Sequence, residues 1–308
     1  MPKVSVIIPV YNTEQYVAEA IYSILNQTLV DIELIAVNDG STDNSLEVIT
    51  KIAESDKRVK VFSQQNKGQS EARNLGISNS TGDYLYFMDS DDVLVETALE
   101  ECVKKGDANN LDIVFFDADI LNQVSDFSLG FDYSRLHHLE DRIYKGVDAL
   151  EEMVDKKIFR VSPCLYILKR QFYLNSGHSF YSGIIHEDEL FTPILFLKAG
   201  DVSFINKKFF LRRLRPDSVM TKKMTDRNIY CYKVVLSEIK KHIAASTSQE
   251  KRVLEKLIKN IIEALCYKIG SLNLAKRASF AIFCMKHYSQ YVNLKSIIIL
   301  MIRKYLKD

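Results

Sequence analysis

Asp83-Tyr84-Leu85-Tyr86-Phe87-Met88-Asp89-Ser90-Asp91-Asp92 joins a short aromatic and apolar run to four polar residues, three of them acids. The run has the composition of a buried strand, and such a strand would deliver the acids to the edge of a sheet. Residues two apart on an extended chain point to the same side, so Asp89 and Asp91 can converge on one divalent cation or one nucleotide. Burying two like charges without a counter-ion is costly, which calls for a cation or a solvated cleft.

Val4 to Pro9, Ile32 to Val37, Val59 to Phe62 and Ile113 to Phe116 are predicted as further strands. Between them, Glu14 to Asn26 places Val17, Ile21, Ile24 and Leu25 at helical spacing, with Asn12 or Thr13 positioned to cap it. Ser45 to Ala53 and Gln69 to Ile77 are predicted as the next two helices. Strands alternating with helices imply an α/β fold with a mainly parallel sheet, whose ligands sit beyond the carboxyl ends of the strands. The unusual polar residues fall at those ends: Tyr11-Asn12, then Asn38-Asp39-Gly40-Ser41, then Asp89-Ser90-Asp91-Asp92.

A chain of 308 residues, 47% hydrophobic and 26% charged, is long enough for a large folded core. Its five cysteines are widely spaced and form no C-x-x-C pair, which argues against a disulfide framework or zinc cluster and for a reducing, cytoplasmic compartment. No stretch approaches the length of a membrane-spanning helix. The net charge of +1 conceals an uneven distribution: residues 225–308 hold sixteen Lys/Arg against six Asp/Glu, and residues 1–224 hold 25 against 34. An acidic front fits a metal-dependent pocket, and a basic tail fits an anionic surface.

Four stretches, Val6 to Asn12, Val37 to Asp43, Asn66 to Asn74 and Met88 to Asp92, together resemble the successive motifs of the family 2 inverting glycosyltransferases. The resemblance is dense over the first hundred residues and sparse to about Thr221. It implies the GT-A nucleotide-sugar-binding fold over residues 1–224, with 1–95 holding the nucleotide and 96–224 the acceptor, followed by a basic helical region over 225–308. On that resemblance Pro9, Tyr11, Asn12, Glu14, Asp39, Arg73, Asp89, Ser90 and Asp91 bind the nucleotide-sugar. Asp91, with Asp89, holds Mn²⁺ or Mg²⁺ against the diphosphate, which suits a hard cation completed by phosphate oxygens. His186-Glu187-Asp188-Glu189 resembles the family's Glu-Asp motif, which makes Asp188 the base and puts Glu187 on the phosphate and acceptor side. Leu211 to Met220 resembles the arginine-and-serine segment that follows, which assigns Arg213, Arg215 and Ser218 to the phosphate and acceptor side.

The residues support some of this without the family. Asp39 can accept from a base-edge N–H and Tyr11 offers a ring for stacking; on spacing alone Asp39 could instead cap the helix that follows, and the presence of Tyr11-Asn12 favours the base. An EF-hand counted from Asp89 fails at Val93 and Leu94, and a zinc-protease motif from His186 fails at Leu190. No Gly-rich dinucleotide or P-loop signature follows the first strand. A non-catalytic nucleotide-sugar-binding scaffold remains the alternative to an enzyme.

The expected reaction moves a sugar from a nucleotide-diphosphate sugar, by family a UDP-sugar, to a hydroxyl of a glycan or lipid-linked oligosaccharide, in bacterial surface-polysaccharide or capsule assembly. The tail repeats Leu254, Leu257, Ile258, Ile261, Ile262 and Leu265 at helical spacing among lysines. It is expected to rest on an anionic membrane surface, as a peripheral protein at the inner face, or to form a homodimer. Nothing accompanies the lysines that would read nucleic acid.

Overall fold

The computed structural model describes residues 1–121, 134–135, 138–214, 224–269 and 272–302. The chain divides into two compact units, Met1–Pro216 and Asp217–Asp308.

In the first unit the strands are β1 (Val4–Val10), β2 (Ile32–Asp39), β3 (Val59–Gln64), β4 (Tyr84–Phe87), β5 (Val93–Leu94), β6 (Ile113–Ile120), β7 (Ile143–Lys145), β8 (Tyr166–Lys169) and β9 (Asp201–Arg212). The helices are α1 (Val17–Leu25), α2 (Ser45–Ser55), α3 (Gln69–Ser78), α4 (Ala98–Asn109), α5 (Gly146–Asp155), α6 (Arg170–Ser176) and α7 (Asp188–Lys198). The strands make one sheet in the order β3-β2-β1-β4-β8-β6-β9-β5, with β7 against β9. Six of its nine strands run in one direction: β3, β2, β1 and β4 form one parallel block and β6 runs parallel to β9, while β8, β5 and β7 pair antiparallel.

Every residue of β2, and all of β1 except Pro9, is buried, which is why these strands read as continuous apolar runs rather than alternating ones. Helix α3 lies so close to β1 that a Cβ on Gly76 would stand 2.4 Å from Ile7 Cγ2. A side chain there would hold the helix off the sheet, and with it the residues on its first turns.

The helix expected from Glu14 begins at Val17, and neither Asn12 nor Thr13 caps it through its side chain. Asn12 takes a left-handed φ of 51°, which asparagine tolerates, and its Oδ1 accepts from the Thr42 N–H at 2.8 Å. The Thr13 N–H donates to Ser45 Oγ at 2.9 Å. These side chains and amides are spent on joining the β1–α1 loop to the β2–α2 loop.

The second unit is helical: α8 (Asp226–Ile243), α9 (Ser248–Ile269), α10 (Leu274–Tyr288) and α11 (Leu294–Ile302). A reciprocal Thr225–Asn228 capping box starts α8. Leu254, Leu257, Ile258, Ile261, Ile262 and Leu265 of α9 are all buried, as their spacing requires. Among the described residues no helix is long and apolar enough to cross a membrane. All five cysteines are buried, and none forms a disulfide.

Candidate active site

Three loops meet beyond the carboxyl ends of β1, β2 and β4. Tyr11, after β1, is 47% exposed, so its ring is available to a ligand. Pro9 is half-buried at the end of β1. Glu14 accepts the Asn44 N–H on Oε2 at 2.8 Å, and Thr13 Oγ1 donates to Ser90 Oγ at 3.0 Å. Asn12, Glu14 and Ser90 are thus part of the framework that holds the loops together.

Asp39 ends β2 and is nearly fully buried. Its Oδ1 accepts from Gln64 Nε2 at 2.7 Å and from the Lys67 N–H at 2.8 Å, while Oδ2 accepts from the Gly68 N–H at 2.8 Å. It does not cap α2. It closes the β3–α3 loop, and Gly68 at φ +88° is the residue that lets that backbone turn toward it. A carboxylate offers about four acceptor positions, so one is left on Oδ2 for a base-edge donor.

The first turns of α3 do most of the joining. Arg73, 2% exposed, donates through one terminal nitrogen to Glu187 Oε1 at 2.6 Å and through the other to Asp89 Oδ1 at 2.9 Å. Burial alone would lower the guanidinium pKa, but the charges of Asp89 and Glu187 outweigh it and raise it further. Gln69, one turn earlier on the same helix face, donates to the same Glu187 oxygen at 2.6 Å. Asn74 brackets the Phe180 backbone, accepting its N–H at 3.1 Å and donating to its carbonyl at 2.9 Å. Glu71 accepts from Ser182. The Phe180 ring lies under Arg73 at 5.1 Å and stacks on Phe191 of α7 at 3.7 Å. One helix therefore carries the acids of β4 on one side and the segment leading into α7 on the other.

Gln69, Asn74 and Phe180 were not singled out from the sequence as site residues. Gln69 stands four before Arg73, and that spacing was the available signal for a shared face. Phe180 pairs with α3 across more than a hundred residues, for which no local pattern exists.

Asp188 opens α7 directly after Glu187, and His186 before them takes a left-handed φ of 66°, a conformation that non-glycine residues rarely hold. Burial, together with the charges of Glu187 and Glu189, pushes the Asp188 carboxyl up to about 8. Glu187 is fully buried, and its Oε2 has no hydrogen-bond partner among the described residues. An aspartate whose pKa lies near neutrality is suited to exchanging a proton with a hydroxyl.

Arg213 follows β9. Its N–H donates to Asp92 Oδ1 at 2.7 Å, its Nε to the Asp91 carbonyl at 3.0 Å, and its Nη2 to Glu19 at 2.6 Å. In this arrangement it fastens the acidic loop to β9. Arg215 and Ser218 lie outside the described residues.

Asp89, Asp91 and Asp92 share one loop, and burial together with the neighbouring Asp91 and Asp89 charges drives the Asp92 carboxyl well above the ordinary range. Crowded like charges of this kind fit a divalent cation. No group of three or more His, Cys, Asp and Glu with metal-site geometry occurs among the described residues, so Asp89 and Asp91 would need phosphate oxygens or water to complete the shell.

The sequence profile of Glycosyl transferase family 2 matches residues 5–163. Two glycosyltransferases of Streptococcus pneumoniae serotype 4, GlyG and GlyA, are each 32% identical over 226 residues, 70% of this chain. The chain covers 72% of GlyG but only 31% of GlyA. In three dimensions it is similar to S. aureus TarS 1-349 in complex with UDP-GlcNAc, with a TM-score of 0.68 at 18% identity over 98% of this chain and 92% of that one. It is also similar to the mannosyltransferase PcManGT of Pyrobaculum calidifontis in complex with GDP-Man and Mn²⁺, with a TM-score of 0.56 at 15% identity over 99% of this chain and 87% of that one. The chain belongs to glycosyl transferase family 2 and has the GT-A fold of that family's enzymes.

Proposed function

We propose that this glycosyltransferase moves a sugar, with inversion, from a nucleotide-diphosphate sugar to a hydroxyl of a glycan or lipid-linked saccharide in bacterial surface-polysaccharide assembly. The observation that carries the reading is the Arg73 bridge, which ties the acids after β4 to the Glu187-Asp188 pair that begins α7. Donor-side and base-side residues so joined suit a reaction between two bound substrates better than simple nucleotide binding.

In this reading Tyr11 stacks on the base, and Asp39 offers its remaining acceptor position to a base N–H. Asp91 and Asp89 would hold Mn²⁺ or Mg²⁺, which would supply positive charge against the leaving diphosphate. Binding of UDP-GlcNAc by TarS, and of GDP-Man with Mn²⁺ by PcManGT, supports both the donor class and the metal. Asp188 accepts the proton of the acceptor hydroxyl as the oxygen forms its bond to the anomeric carbon. The bond from that carbon to the diphosphate breaks, and the nucleoside diphosphate departs with the electron pair. Attack from the face opposite the leaving group inverts the configuration and needs no covalent sugar intermediate. Arg213, Arg215 and Ser218 are assigned to the phosphate and acceptor side.

Calorimetric titration with UDP, GDP and UDP-sugars, in Mn²⁺ and then with chelator, tests the reading. One nucleotide that binds in Mn²⁺ and loses affinity on chelation supports it, and loss of that binding in Asp91→Ala assigns the ligand. No nucleotide bound under either condition overturns it.

A further inference from the structure

The last two helices carry charge of one sign only. Between Glu263 and Asp308 the sequence holds eight lysines and arginines and no acid. Lys276 is paired with Asp226 at 2.8 Å, and Arg277 is buried, donating to the Met301 carbonyl at 2.9 Å and so fixing α10 against the end of α11. Lys286 and Lys295 are exposed.

Beside these lysines lie two apolar stripes. On α10, Leu274, Ile282 and Met285 are 55%, 60% and 52% exposed, and their spacing of eight and three residues puts them on one helix face. On α11, Leu294, Ile298 and Ile302 recur every fourth residue and are 76%, 45% and 41% exposed. Single exposed apolar residues need no explanation, but two periodic stripes on helices that pack together do.

We infer that the α10–α11 face docks on an anionic lipid surface, with its apolar stripes at the acyl boundary and Lys286 and Lys295 among the headgroup phosphates. A helix face with large apolar side chains, lysines and no acid has the character of an interfacial helix. A second copy of the chain is the poorer occupant. A two-fold interface sets a patch against itself, and would bring the lysines of two helices together although neither helix carries an acid.

The test is sedimentation of the full chain with vesicles of phosphatidylglycerol and phosphatidylcholine, or of phosphatidylcholine alone, without nucleotide, so that its outcome is independent of the donor reading. The chain is expected to pellet with the anionic vesicles only, and less as salt rises. Each lysine near an anionic surface contributes about a fivefold factor, so Lys286→Gln with Lys295→Gln should weaken binding roughly 30-fold. Ile282→Asp with Ile298→Asp, both at exposed positions, should abolish it while circular dichroism and nucleotide titration remain those of the parent. Equal binding to both vesicle types, no binding to either, or binding unchanged by the aspartates would overturn the inference. So would a dimer in sedimentation velocity that dissociates in the aspartate variant.

Discussion

Arg73 and Glu187 form a buried ion pair across the site, at 2.6 Å between Nη1 and Oε1 with side-chain exposures of 3% and 0%. The same guanidinium holds Asp89 at 2.9 Å. A planar fork of this kind fixes the angle between its two partners as well as their distance, which a point charge cannot do. The acidic loop after β4 and the start of α7 are therefore joined through one side chain.

Arg73→Lys keeps the charge and loses the fork. One ammonium cannot serve both carboxylates with the same geometry, and breaking a buried pair costs about 3–5 kcal/mol when a charge is left uncompensated. We expect a lowered melting temperature and turnover reduced at least 100-fold, with weakened nucleotide affinity because Asp89 is released. A lysine variant with parental turnover and affinity would mean that the bridge does not position the site. Thermal melts, calorimetry and a transfer assay on the same preparation separate these effects.

Asp188 carries a pH signature. Burial and the adjacent glutamates raise its pKa to about 8, so the proton-accepting form grows as pH rises through that value. For the proposed base role, kcat/KM for the acceptor should climb from pH 6 and level off above about 8. Asp188→Asn should lower turnover at least 1,000-fold and leave nucleotide affinity within about twofold. The stability effect has the opposite sign. A carboxyl held above its unfolded pKa costs stability progressively between the ordinary aspartate range and about 8, so Asp188→Asn should melt higher than the parent at pH 8 and equally at pH 3.

The parallel block was legible because β1, β2 and β4 are buried on both faces and its helices keep a clear period: β4 begins and ends where the aromatic run does, and α3 runs one residue beyond the expected Ile77. The acids at the strand ends were legible because nothing in a strand pattern calls for them. The contacts that build the site were not. Glu187 reads as a helix-start acid, and only folding brings it to a guanidinium 114 positions earlier. Asn12 looked like a cap and instead holds Thr42 on a neighbouring loop, since a cap is a local preference that a tertiary hydrogen bond can outbid.

Glu33, on β2, makes a second pH-dependent contribution, far from neutrality. Its burial by itself would raise the carboxyl pKa, but Lys60 at 2.7 Å, Ser5 at 2.6 Å and Thr81 together lower it to about 2. A depressed folded-state pKa gives stability that is fully present above the unfolded value and is lost as pH falls from about 4.5 to about 2. Glu33→Gln should cost roughly 2 kcal/mol at pH 7, the scale of a hydrogen bond to a charged group, and close to nothing at pH 2. Denaturant midpoints of the two proteins at both pH values check this, and an equal difference at both would rule out the charge as the cause.

Gly76 of α3 is packed against Ile7 of β1. Glycine inside an exposed helix is usually improved by alanine, by about 1 kcal/mol. Here the new methyl would meet Ile7 Cγ2 at 2.4 Å and Cγ1 at 3.3 Å, on a fully buried residue of β1 that has no room to retreat. Overpacking of that kind costs about 1–3 kcal/mol and should reverse the sign of the substitution. Because α3 also carries Arg73, pushing it outward should disturb the bridge to Asp89 and Glu187, so Gly76→Ala should lose turnover as well as stability. Ile7→Ala removes the obstructing methyls. In the double variant the added methyl occupies part of the space that Ile7 vacates, and the combined loss should be smaller than the sum of the two single losses. Strict additivity in denaturant titration would show that α3 does not rest on Ile7 at that point, and would separate the position of Arg73 from the packing beneath it.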